Sequence, residues 1–125
     1  MTDTTSVNVN VSQLDLLSKL LDVTGLRHRV LAHNIANVNT PGFHKLNVAF
    51  EDALSREIGK GGQAALGNVK PKVTEDKVSP ERADGNNVDI DIEMGNMDKN
   101  ALLYNVYSQI LASRIGTMRS AISGR

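Results

Sequence analysis

Cysteine is absent from the 125 residues, which excludes disulfides, thiolate catalysis and Cys-based zinc sites. Tryptophan is absent too, and aromatics are 3% of the chain: Phe43, Phe50, Tyr104 and Tyr107. Aromatic rings usually supply much of a small core's buried area. Aliphatic side chains must therefore carry the packing, which suits helix-on-helix contact. Neither sign of charge is in excess, since 14 Lys and Arg balance 14 Asp and Glu. The basic patch or stripe of a nucleic-acid binder is missing, as is the block of like charge that marks a solvating tail. No apolar run of about 18 residues occurs, so no transmembrane helix is expected. The first residues lack a basic n-region and an apolar h-region, so by ordinary export routes the protein would stay in the cytoplasm.

Catalytic and metal-binding patterns are missing as well. The three histidines are His28, His33 and His44. His28 and His33 lie five apart with no carboxylate between them, unlike the two histidines of H-E-x-x-H. Asp89, Asp91 and Glu93 alternate, but they do not meet the spacing of a calcium loop; acidic residues in a first helical turn complement the helix dipole instead. No G-x-S-x-G elbow, P-loop or G-x-G-x-x-G sequence is present. The expectation is a protein that is not an enzyme, with no catalytic residue, no metal and no cofactor.

What is present is helical patterning. Residues 1–11 are small, polar and β-branched and read as a flexible tail. Val7, Val9 and Val11 alternate as a strand would. Ser12 with Asp15 reads as a capping box, opening a helix over 12–39. Two apolar rows run along it, Leu14, Leu17, Leu21, Leu31 and Ile35, and Leu16, Leu20, Val23 and Val30. Rows two residues out of phase lie about 200° apart, so the helix is apolar on two sides. It ends near Asn39, because Thr40 precedes Pro41 and is pushed out of the helical region. Residues 40–88 then hold a turn, a short amphipathic helix over 46–58 with Leu46, Phe50, Leu54 and Ile58 four apart, and an extended loop rich in Gly and Pro with one short strand.

The last third predicts a helix over 89–123, about 50 Å long. Met94, Met97, Ala101, Tyr104, Ser108, Leu111, Ile115, Met118 and Ile122 follow a 3,4 heptad spacing. Leu103, Val106 and Ile110 form a second row nearly opposite. The fold class expected is mainly α: two long antiparallel helices in a coiled-coil-like pair, forming a single domain. The packing residues are Leu14, Leu17, Leu21 and Leu31 against the heptad row. A helix apolar on two sides needs a partner on each. A four-helix dimer and a larger assembly satisfy that requirement equally well.

The segment Ala32–Phe43 contains N-I-A-N-x-x-T-P-G-[FY] complete: Asn34, Ile35, Ala36, Asn37, Thr40, Pro41, Gly42 and Phe43. It resembles the signature of the flagellar rod, hook and hook-filament junction proteins. Asp84, Gly85, Asn86, Asn87, Val88 and Asp89, followed by Glu93-Met94, resemble the motif that precedes the C-terminal helix in the proximal member of the small rod proteins. Tyr104, Ser108-Gln109 and Arg114-Ile115-Gly116 continue that similarity. The resemblance covers about 14–58 and 84–123, and the chain has no room for the large insertions of longer family members.

It implies a structural subunit of the bacterial flagellar basal body that polymerises helically with itself and other rod subunits. Its partners would be the MS-ring, rod-junction and export-gate proteins at one end and the distal rod at the other, with torque transmitted between them. It also implies export by the flagellar type III apparatus without a cleaved signal, to a periplasmic rod, with no nucleic acid, small molecule or membrane span involved. The different-class alternative is a basal-body adaptor or export-associated chaperone that binds partner helices without polymerising.

Overall fold

The computed structural model describes the backbone of residues 4–61 and 63–124, and side chains over 13–61 and 66–124. Its elements in chain order are α1 (Thr4–Ala36), β1 (Leu46–Ala49), α2 (Glu51–Gly59), a short 3-10 helix (Gln63–Asn68), β2 (Lys72–Glu75) and α3 (Ile90–Ser123). Most of the chain is helical, with one two-stranded antiparallel sheet in which Leu46 faces Glu75 and Ala49 faces Lys72.

The long helices pack antiparallel: Thr24 of α1 meets Asn100 of α3, and ten residues further along α1, Asn34 meets Glu93. The inward stripe of α3 is Glu93, Met97, Asn100, Leu103, Tyr107 and Leu111, at steps of three and four residues that keep one helix face toward α1.

Helix α1 begins earlier than its expected start. Backbone helix is already present at Thr4, so Ser12 lies inside the helix and not at its start, and residues 4–11, which read as tail, are helical. The β-branched and Asn residues there are weak helix formers at a few tenths of a kcal/mol each. Extension of an existing helix still adds one hydrogen bond per residue, and no Gly or Pro interrupts it. Positions 1–3 of the expected tail lie outside the described residues. At the other end α1 stops at Ala36 rather than Asn39. The Asn37 N–H is shared between His33 O and Asn34 O, both at 3.2 Å, and Val38 N donates to Ile35 O; this tightening commonly closes a helix.

The expected helix over 46–58 divides in two. Residues 46–49 form strand β1, with Leu46 and Val48 turned inward and Asn47 and Ala49 outward. Only the remainder is helical, as α2. Spacing of four satisfies both periods, since every fourth residue repeats on one face of a strand as well as of a helix. The loop expected beyond it holds the 3-10 helix and β2.

The second apolar row of α1 is covered from within the chain. Val23 (1% exposed) packs with Phe50 and Val69 in the main apolar cluster, with Leu20, Val48, Ala53 and Leu54 around it. The β1–α2–β2 unit is thus a cap on the flank of α1, and α3 occupies the adjacent face.

Candidate assembly site

The two signature segments meet where α1 ends and α3 begins. Thr40–Phe43 closes with Phe43 N donating to Thr40 O at 3.2 Å. Pro41 takes the second position and Gly42, at φ +73, the third, the residue pattern of a type II turn. The Gly42 N–H then donates to Asp84 O at 2.8 Å, tying this turn to the second segment. Gly85 adopts φ +82, and a Cβ on it would lie 3.4 Å from Gly42 Cα. Two glycines back to back let the two turns touch.

Three asparagine side chains hold this junction. Asn34, fully buried, accepts from Leu46 N at 2.9 Å and donates to Leu46 O at 2.8 Å. Its amide also donates to Glu93 Oε2 at 2.9 Å, so one side chain joins α1, β1 and α3. Asn86, also fully buried, donates to Asn37 O at 2.9 Å and Thr40 O at 2.8 Å, turn carbonyls just beyond α1 that also accept from Thr40 N and Phe43 N. Its oxygen accepts from Val88 N at 2.7 Å. Asn87 accepts from Lys45 N at 2.7 Å and donates to Asp76 O at 2.8 Å. Arg82 reaches across, donating to Val88 O at 2.7 Å and to Val38 O.

Around this knot the remaining signature residues fall into place. Ile35, Asn37, Phe43 and Gly85 are half-buried, Val88 is buried, and Ala36, Thr40, Pro41, Gly42, Asp84 and Asp89 are exposed. Phe43 stands edge-on to His33 at 5.5 Å between ring centres. Asp89 caps α3, its Oδ1 accepting from Asp91 N and Ile92 N. Beside the knot, the Asp76 carboxylate accepts from Ser79 and Val78 and faces Lys45 at 3.5 Å. The Ser79 and Val78 bonds, aided by Lys45, hold its pKa well below the ordinary carboxylate range.

His44 lies between two carboxylates, with Nδ1 2.8 Å from Glu75 Oε1 and Nε2 2.8 Å from Glu81 Oε1. The Glu75 hydrogen bond, outweighing partial desolvation and joined by Glu81, raises its pKa above the ordinary 6.5.

The bonding partners of several of these groups were invisible in the motifs. Glu93 is 2% exposed and bonded to Asn34, so its place in the first turn of α3 is only part of its role. Asn100, 3% exposed, donates to Thr24 O at 2.8 Å; an Asn amid apolar helix positions was the available signal. Arg82, Asp76 and His44 carried no signal, because their partners are distant in sequence. Among the described residues no group of three His, Cys, Asp or Glu is placed to hold a metal, and no helix is long and apolar enough to cross a membrane.

The helix-packing residues separate into two sets. Leu17 and Leu31 are buried, and Leu14, Leu21, Met97 and Leu111 half-buried. Met94, Ala101, Tyr104, Ile115, Met118 and Ile122 are exposed. The apolar heptad row of α3 and its inward stripe therefore share Met97 and Leu111 and otherwise diverge. At 100° per residue, Met94 and Ala101 flank the stripe on one side, while Tyr104 and Ile115 fall within its span and are 49% and 46% exposed. Ile92, Leu102, Val106 and Ile110, all at least 40% exposed, lie along the other.

No protein-family model matches the chain. Curated relatives do. The flagellar basal body rod protein FlgB of Borrelia hermsii is 36% identical over 93% of this chain and 99% of its own length. The FlgB protein of Borreliella burgdorferi is 30% identical over 79% of this chain and 87% of its own. That of Salmonella typhimurium is 27% identical over 83% and 88%.

Proposed function

The chain belongs to the FlgB family of flagellar basal body rod proteins, and from that premise we propose that it is a structural subunit of the proximal rod, polymerising helically with itself and with other rod subunits. The observation that carries this reading is the apolar surface of α3 that the chain leaves open on both flanks of its inward stripe. An exposed apolar surface of that extent is characteristic of a protein–protein interface. Along a helix about 50 Å long, it calls for neighbours on two sides, as a packed tube supplies and a simple two-helix hairpin does not.

In this reading α1 and α3 form a coiled-coil-like pair in the wall of the tube, and the β1–α2–β2 unit lies to one side of it. The assembly motif is the knot itself, from Asn34, Ile35, Ala36, Asn37, Thr40, Pro41, Gly42 and Phe43 to Asp84, Gly85, Asn86, Asn87, Val88 and Asp89. Every backbone group at the exit of α1 that it satisfies fixes the direction in which α3 leaves. Torque can pass through the subunit only if that angle is stiff. One end of the rod would meet MS-ring and export-gate proteins, the other the distal rod. The subunit would reach the periplasm through the flagellar type III apparatus without a cleaved signal. It would act on no substrate and hold no cofactor.

Cryo-electron microscopy of basal bodies purified from cells carrying a tagged chain tests this. The expected density is a ring of α1–α3 pairs at the base of the rod, with α3 flanked by neighbours on both sides. Absence of the protein from basal bodies, together with a soluble, fully folded dimer in solution, would favour the adaptor or chaperone reading.

A further inference from the structure

Between β1 and the first half of α3 the fold leaves a groove with an apolar floor at Val30 and Leu31. Three observations describe what it could hold. First, β1 turns an unpaired edge toward it. The Asp76 N–H donates to Lys45 O at 2.9 Å, so alternation along the strand points the peptide groups of Leu46 and Val48 away from β2. Asn34 occupies both groups of Leu46. Among the described residues Val48 O receives only a long contact of 3.4 Å from the Arg27 guanidinium, and the Val48 N–H faces the same side. An open strand edge is a template for one more strand.

Second, Asn100 lines the same groove at 3% exposure, and its Oδ1 has no hydrogen-bond partner among the described residues. Buried acceptors are nearly always satisfied, so this one points to a donor the single chain does not supply. Third, the rim carries uncompensated positive charge. Arg27 already holds Glu51 at 2.7 and 2.9 Å, whereas Lys99, also at the groove, makes no ion pair among the described residues.

We propose that this groove receives an extended segment of a neighbouring polypeptide, paired as a short third strand along β1 at Val48. The segment donates a hydrogen bond to Asn100 Oδ1 and sets an Asp or Glu side chain against Lys99. The inference rests on the reading of the chain as an assembly subunit. The Glu51 side of the Arg27–Glu51 pair is 60% exposed, and ion pairs open to water are weak enough to rearrange on docking.

Photo-crosslinking in assembling cells tests it. The probe p-benzoylphenylalanine is placed at Asn96, on the groove wall, and cross-linked peptides from purified basal bodies are mapped by mass spectrometry. The expected product joins Asn96 to one segment of a neighbouring subunit that contains Asp or Glu. Lys99→Glu should lower the yield about tenfold, the size of one charge-assisted contact, while Lys99→Arg preserves it. Asn100→Leu should lower it similarly in chains shown by circular dichroism to remain helical. Equal yields from the parent and Lys99→Glu, products scattered over helices, or no product in basal bodies that contain the protein would each overturn the groove inference and leave the rod reading standing. Absence of the protein from basal bodies would overturn both.

Discussion

At the scale of single residues, Asn34 has the most to lose. Its amide satisfies the N–H and C=O of Leu46 and one oxygen of Glu93. Asn34→Ala removes all three partners at once and leaves the Glu93 carboxyl buried at 2% exposure. Each buried polar group left unpaired costs about 1–3 kcal/mol, and water can re-enter at the half-buried Leu46. A loss of about 3 kcal/mol in urea unfolding is expected. A double-mutant cycle with Glu93→Gln should show coupling well above the noise of independent sites.

His44 makes a second test at this scale. Because Glu75 and Glu81 raise its pKa, the pairing stabilises the fold fully below the ordinary value of 6.5 and is lost as pH rises through the higher folded-state value. Urea midpoints measured upward from about pH 6 should therefore decline across that window in the parent and stay flatter in His44→Gln. Asp76 acts at the opposite end: its lowered pKa gives stability that is complete at neutral pH and lost as pH falls below the ordinary 3.8.

At the scale of elements, the start of α3 depends on Asp89. Its side chain takes two of the first N–H groups of the helix, and Asp91 and Glu93 follow in the first turn. Asp89→Ala should cost about 1 kcal/mol and shorten α3 at its first turn, visible as faster amide exchange at Asp91 and Ile92. This boundary was legible in the sequence because capping and acidic first-turn residues act locally. The beginning of α1 was not. Ser12 and Asp15 form an adequate capping box, yet nothing upstream stops a helix, and a cap signal only marks where one can start.

Strand β1 was hidden for a different reason. Leu46, Phe50, Leu54 and Ile58 repeat at a spacing common to both periods, and the choice was made by β2, more than twenty residues away. The signature segments were legible as motifs, while the bonds that join them, such as Asn86 to Asn37 and Thr40, depend on pairings that no spacing encodes.

At the scale of the whole molecule, the two long helices differ in a way that periodicity alone conceals. Both carry two apolar sides in sequence. In α1 the second side is covered by Phe50, Val69 and their neighbours; in α3 Leu103 of that side turns toward α1, and Val106 and Ile110 are open. The inward stripe of α3 uses Glu93 and Asn100, polar groups held by α1, while aliphatic side chains such as Val106 and Ile110 are 42% and 40% exposed.

A sequence shaped only for the stability of the monomer would place its apolar residues the other way round, since burial of each is worth about 1.5–3 kcal/mol. The arrangement makes sense if α3 is shaped for contacts outside the chain. Val106→Asp and Ile110→Asp should then change the urea midpoint of the isolated chain little, within about 0.5 kcal/mol. The same variants should fail to enter basal bodies and should abolish swimming. Leu111→Asp, on the half-buried inward stripe, should lose both stability and motility. Normal swimming in the Val106 and Ile110 variants would show that this flank faces water in the assembled state, and the argument from the open face of α3 would fail.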